Sequence, residues 1–199
     1  MMQPVIVGAM KWPDAMTRRL IALGGVTIHE LAPDKRCVTC QKPMLMTLSE
    51  ITTPWVCWAD SDAIFIGNCS EWLTGDSEEE ITIRAYNPPP PDFTDENKAT
   101  WKHDVAELCG SAREQCRYPT RFNAPFIVIH RKWQDFIKRW QKQIERVLPS
   151  DVEIIMAKLS AYFQTDESVL GSLLCYDPAA PAVSATYKAN GSVDKSRYF

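Results

Sequence analysis

The sequence predicts an α/β domain with a mainly parallel central sheet flanked by helices on both faces. Three observations carry this expectation. Apolar, β-branched runs at Val5–Ala9, Val26–Leu31 and Trp55–Ala59 read as short strands. Two helical stretches separate them, each closed by a breaker, Gly24-Gly25 and Thr52-Thr53-Pro54. The connections are short, so the order βαβαβ implies right-handed crossovers between parallel strands. With 199 residues, 45% of them hydrophobic, the chain can enclose one ordinary core.

Each element has its own signal. Pro13 and Asp14 suit a helix start, and Met16, Leu20 and Leu23 then share one face. Gln41–Ile51 is the second helix, with Leu45, Leu48 and Ile51 at helical spacing. Glu71-Trp72-Leu73 opens a short helix or turn, Asp76–Glu80 is a solvated acidic loop, and Ile81–Tyr86 alternates as a strand. Asn87–Asp92 holds a run of prolines and is stiff and extended. Asn97–Cys109 is read as helical and Phe126–His130 as a buried strand. Lys132–Leu148 is the clearest helix, with Trp133, Phe136, Ile137, Trp140, Ile144 and Val147 on one face. Asp166–Leu174 is a final helix, capped by Asp166 or Thr165. Residues 1–176 are thus expected to form one domain, and 177–199, rich in Pro, Ala, Ser and Gly, a loose tail or edge segment.

Composition narrows the function. A net charge of −3 gives no reason to expect nucleic acid as a partner. No apolar run approaches the roughly 20 residues of a membrane span, and the start lacks a signal-peptide pattern, so a cytoplasmic location is expected. The seven cysteines are irregularly spaced, which suits reduced thiols better than a disulfide framework. Cys37-Val38-Thr39-Cys40 lacks the second pair, or the well-spaced His, that a structural zinc site needs.

The chemistry concentrates in Trp55–Asn68, where an apolar strand ends in Asp60-Ser61-Asp62 and a second apolar run, Ala63–Ile66, follows. Unpaired carboxylates are costly inside a sheet. Where a strand emerges they can hold a hard divalent cation, Mn²⁺ or Mg²⁺, through oxygen. Such a cation can neutralise a diphosphate as it leaves. In parallel α/β sheets the ligand crevice lies at the carboxyl ends of the strands, where Asp60 and Asp62 are expected. Ser61 points away from both carboxylates if the strand geometry continues, and its hydroxyl suits a ribose or phosphate.

Trp58–Asn68 resembles the Asp-x-Asp signature of glycosyltransferases with the GT-A fold, a Rossmann-like single domain. Lys42-Pro43-Met44-Leu45 is similar to the start of the helix leading into that strand. Arg121–Ile129 is similar to the family's Phe-Asn-(small)-Gly-apolar strand, and Thr165–Leu170 to its Asp-Gln-x-x-Leu helix start. The resemblance covers roughly residues 5 to 175. It implies transfer of a sugar from a nucleoside-diphosphate donor, a UDP-sugar first of all, to a carbohydrate, lipid or protein acceptor. By the same resemblance Asp62 is the more direct metal ligand, and Asp60 contacts ribose or metal. Ser61 lies near the nucleotide, Asn123 lines the sugar pocket, and Asp166 and Glu167 are a catalytic base or a carboxylate orienting the sugar. Trp58 and Trp133 are read as core.

The chain also departs from the family. Many relatives place about one more βα unit before the motif. No His-x-x-Gly-type segment follows the last helix, which leaves His130 as a nearby substitute ligand. Pro125 stands where Gly is common, and has no N–H to donate. Two alternatives follow: a haloacid-dehalogenase-like phosphatase, which also places Asp-x-Asp after an apolar strand, and an inactive GT-A-like binding domain.

Overall fold

A computed structural model describes residues 5–9, 15, 18, 19, 22, 26–30, 39–60, 73–75, 77–148, 161–189 and 192–193. Ser61 and Asp62 lie outside the described residues, as do Cys37 and the apolar face Met16, Leu20 and Leu23 read for the first helix. Ala15, Arg18, Arg19 and Ala22 of that stretch are helical and exposed.

The described elements are β1 (Val5–Ala9), β2 (Val26–Glu30), a 3-10 turn (Thr39–Gln41), α1 (Lys42–Met46), β3 (Trp55–Ala59), β4 (Glu80–Ala85), α2 (Asp95–Cys109), β5 (Phe122–His130), a 3-10 turn (Arg131–Trp133), α3 (Gln134–Val147), α4 (Thr165–Tyr176), β6 (Ala182–Ala189) and β7 (Ser192–Val193). β1 and β2 pair in parallel, Val5 opposite Val26 and Ala9 opposite Glu30. The other strands form one sheet in the order β3-β5-β4-β6-β7.

The α/β class holds, but the main sheet is mixed and mostly antiparallel rather than mainly parallel. β5 runs antiparallel between β3 and β4. β6 lies parallel to β4, and β7 returns antiparallel to β6. The cause is physical. Ile127, Val128 and Ile129 of central β5 are fully buried, and such a run is apolar whichever way its neighbours point. Apolar period therefore carries burial but not strand direction.

Local signals set the helix ends. Thr94 caps α2 by accepting from the Asn97 N–H at 3.2 Å, and Gly110, at φ 78°, closes it in the left-handed region where glycine is favoured. α1 stops well before Ile51. The Thr47 hydroxyl donates to the carbonyls of Pro43 and Met44, both at 3.1 Å, and so competes for the groups a longer helix would use. α3 buries Phe136, Ile137, Trp140 and Ile144 along one stripe. α4 is buried along its whole length, packed against α2, α3 and β5. Its polar residues therefore need protein partners, and those partners build the site below. No helix among the described residues is long and apolar enough to cross a membrane.

Candidate functional site

The site begins with an irregularity in the central strand. Between β4 and β5 the register jumps from Ile83↔Ile127 to Arg84↔Asn123, leaving Ala124, Pro125 and Phe126 out of that ladder. Pro125 could not have donated to it. The freed backbone groups turn elsewhere. The Ala124 N–H donates to Glu167 Oε1 at 3.2 Å, and the Ala124 carbonyl accepts from Lys42 Nζ at 3.1 Å. The Pro125 carbonyl accepts from the Asp60 N–H at 2.8 Å. The end of β3, the bulge of β5 and the first turn of α4 are thereby tied together.

Lys42 lies at the centre. Its Nζ is 3.0 Å from Asp60 Oδ1, 3.2 Å from Asp60 Oδ2 and 3.0 Å from Asp166 Oδ2. The Lys42 and Asp166 side chains are only 4% and 5% exposed, while that of Asp60 is 27% exposed. Burial pulls the Lys42 pKa down, but the Asp166 and Asp60 carboxylates beside it more than offset this and leave it raised. The Trp58 indole N–H donates to Asp60 Oδ1 at 2.6 Å, so half-buried Trp58 serves the site as well as the core. Thr39 donates to Asp166 Oδ1 at 2.9 Å, and the Trp140 indole N–H donates to the Asp166 carbonyl at 2.9 Å.

A second arm runs through Glu167. Its Oε2 accepts from the Tyr86 hydroxyl at 2.9 Å, and that hydroxyl in turn accepts from the Asn123 amide at 3.0 Å. Burial first, and then the Asp166 charge, raise the Glu167 pKa. Burial and the Glu167 charge push Tyr86 up to about 12. Arg121 stands behind this arm, fully buried and ion-paired with Asp92. It donates to Ser168 Oγ at 2.6 Å and to Gln164 Oε1 at 2.9 Å. Gln164 adopts φ 51° just before α4, and its carbonyl accepts from the N–H groups of Glu167 and Ser168. The N-terminal end of α4 also favours the charges of Asp166 and Glu167.

Asp60, Asn123, Asp166 and Glu167 thus come together from β3, β5 and α4, although they are distant in sequence. Lys42, Tyr86 and Arg121 join them and were not singled out as site residues from the sequence. In the sequence Lys42 reads only as part of a helix start. Tyr86 and Arg121 flank strands, and only the fold reveals their partners. His130 does not join. It pairs with Trp55 at the start of β3, whereas Ala59 pairs with Phe126 at the other end, and its ring contacts Trp55 and Glu78 instead. Trp133 is half-buried and donates to the Glu78 carbonyl at 2.8 Å.

Asp60 fits one hard-cation contact. Oδ1 already takes two donors and Oδ2 takes Lys42, which leaves Oδ2 a lone pair on a side chain 27% exposed. His103, Asp104 and Glu107 also bring potential ligand atoms within 4.8 Å of one another. There Asp104 accepts from Tyr162 and Glu107 pairs with Arg146, so the protein already satisfies them. A concavity of about 590 Å³ lies at the His130 end of β3, lined by Thr52, Pro54, Arg131 and Asp135 among others, and shares no residue with the Lys42 cluster. No protein-family model, curated protein or solved structure matches this chain.

Proposed function

We propose that this chain is a metal-dependent glycosyltransferase of the GT-A type, moving a sugar from a nucleoside-diphosphate donor, first of all a UDP-sugar, to an acceptor. The observation that supports this reading best is the convergence of Asp60, Asn123, Asp166 and Glu167 on one strand-end cluster. These are residues that the resemblance to the family assigns to a donor site.

In this reading Asp60 and Asp62 hold Mn²⁺ or Mg²⁺, which when bound supplies positive charge to neutralise the departing diphosphate. The Lys42 ammonium, 3.0 Å from both Asp60 and Asp166, holds these two carboxylates in place beside the donor. Ser61 faces the ribose or phosphate. Asn123 meets the sugar, with its amide held by Tyr86. Asp166 and Glu167 take the orienting role rather than that of a base. Both are buried, and every carboxylate oxygen of the two already has a protein partner.

One observation favours a second reading, an inactive GT-A-like binding domain: Asp60 and Asp166 are already charge-balanced by Lys42. Release of UDP from UDP-sugars in Mn²⁺ distinguishes the two. The transferase reading expects turnover that disappears in Asp62→Ala and Asp60→Asn. Mn²⁺-dependent nucleotide binding without turnover selects the binding domain, and hydrolysis of simple phosphate monoesters without either selects the phosphatase.

A further inference from the structure

The cysteines expected from the sequence to be reduced include one pair that the fold brings into contact. Cys116 lies in the irregular segment between α2 and β5, and Cys175 in the last turn of α4. Their sulfurs are 2.6 Å apart although the residues are 59 positions apart; a disulfide bond is about 2.05 Å. The backbone holds them there. The Arg117 N–H donates to the Cys175 carbonyl at 3.2 Å, and the Arg113 N–H to the Tyr176 carbonyl at 2.7 Å. The Arg113 guanidinium also donates to the Pro178 carbonyl at 2.9 Å. Closing the bond therefore needs little backbone movement. Cys116 is partly buried and Cys175 fully buried, so Cys116 is the more accessible of the two to a reagent from solvent.

We infer that Cys116 and Cys175 are a dithiol that closes to an intramolecular disulfide, pinning the lead-in to β5 onto the end of α4. The oxidant is a low-molecular-weight disulfide of the glutathione class. The Cys116 thiolate attacks one sulfur of RSSR, forming a mixed disulfide and expelling RS⁻, which takes a proton. Cys175 then gives its proton to solvent, and its thiolate attacks Cys116 Sγ and expels the second RS⁻. Two protein thiols are oxidised and one RSSR is reduced to two RSH. The neighbouring Cys175 thiol stabilises ionised Cys116 and brings its pKa down to about 7, which suits it to the first attack. β5 and α4 carry Asn123 and the Asp166–Glu167 pair, so the bond ties the two site-bearing elements together. It is independent of the reading of that site.

The test incubates the native full chain with oxidised glutathione, blocks remaining thiols after denaturation, and maps the peptides by mass. The expected result is loss of two of the seven thiols, a linked Cys116–Cys175 peptide pair, a higher melting temperature, and reversal by dithiothreitol. Cys116→Ser, at the less buried of the two positions, should abolish the linkage and the temperature rise while keeping the fold. Retention of all seven thiols, a stable glutathione adduct on Cys116 beside a free Cys175, or linkage of another pair would each overturn the inference.

Discussion

Replacing Lys42 by Met tests whether the site is held by charge. The change keeps most of the volume and removes the ammonium that lies 3.0 Å from both Asp60 and Asp166. Asp166, 5% exposed, is then left without its cation, and breaking a buried pair in this way costs about 3–5 kcal/mol. Asp60, at 27% exposed, can draw on water and adds little. The loss of the bond to the Ala124 carbonyl costs about 1 kcal/mol or somewhat more. Lys42→Met is therefore expected about 5 kcal/mol less stable, a third or more of the total for many domains. Urea denaturation at pH 7 reads this directly, as a lower midpoint at unchanged slope. In a double-mutant cycle Asp166→Asn should recover part of the loss, because the neutral amide has no charge to strand. A Lys42→Met variant within about 1 kcal/mol of wild type, or one whose cost is simply additive with Asp166→Asn, would refute the reasoning.

Other perturbations separate the parts of the site. Arg121→Met strands Asp92, which is 1% exposed, and is expected to cost about 3–5 kcal/mol in the same denaturation assay. Trp140→Ala removes a core indole, 1% exposed, and its bond to the Asp166 carbonyl, again about 3–5 kcal/mol; an unchanged melting temperature would contradict the packing of α3. Tyr86 titrates at about 12 when folded against 10.0 ordinarily. The folded state therefore holds that proton more tightly, and the contribution to stability falls as pH rises from 10 to 12. Lys42, also raised, contributes in full below its ordinary value and loses that contribution as pH climbs through the folded one. Tyr86→Phe should accordingly be less stable than wild type at pH 8, with the gap narrowing between pH 10 and 12. A constant gap would show that the Tyr86 hydroxyl is not buried beside Glu167.

The parts of the fold legible in the sequence are those set by local period. α3 announces itself because Phe136, Ile137, Trp140 and Ile144 repeat at helical spacing. Apolar period marks β5 only from Phe126, and its earlier residues, Phe122 to Pro125, are legible only through the family resemblance of Arg121–Ile129, because their places in the strand depend on the bulge beside β4. The Ala, Ser and Pro content of 177–199 leaves a tail and an edge strand equally open; β6 is a strand there because it pairs in parallel with β4, a pairing that local sequence does not encode. The same division holds at the site. Asp60, Asn123, Asp166 and Glu167 were named from short motifs. Lys42 has no such signal, because its role comes from Asp60 and Asp166, which reach it only when β3 and α4 are in place.

The central claim is that the end of β3 holds a nucleoside diphosphate together with a divalent cation. The most direct measurement is melting temperature across a panel of nucleoside diphosphates, each with and without Mn²⁺. A ligand that binds only the folded chain adds about 2.7 kcal/mol at a hundred times its dissociation constant. The account predicts a rise that requires both one nucleotide, uridine diphosphate first, and Mn²⁺, and that disappears in Asp62→Ala while the unliganded variant melts as wild type does. No rise with any nucleotide, or a rise that survives Asp62→Ala, would contradict it.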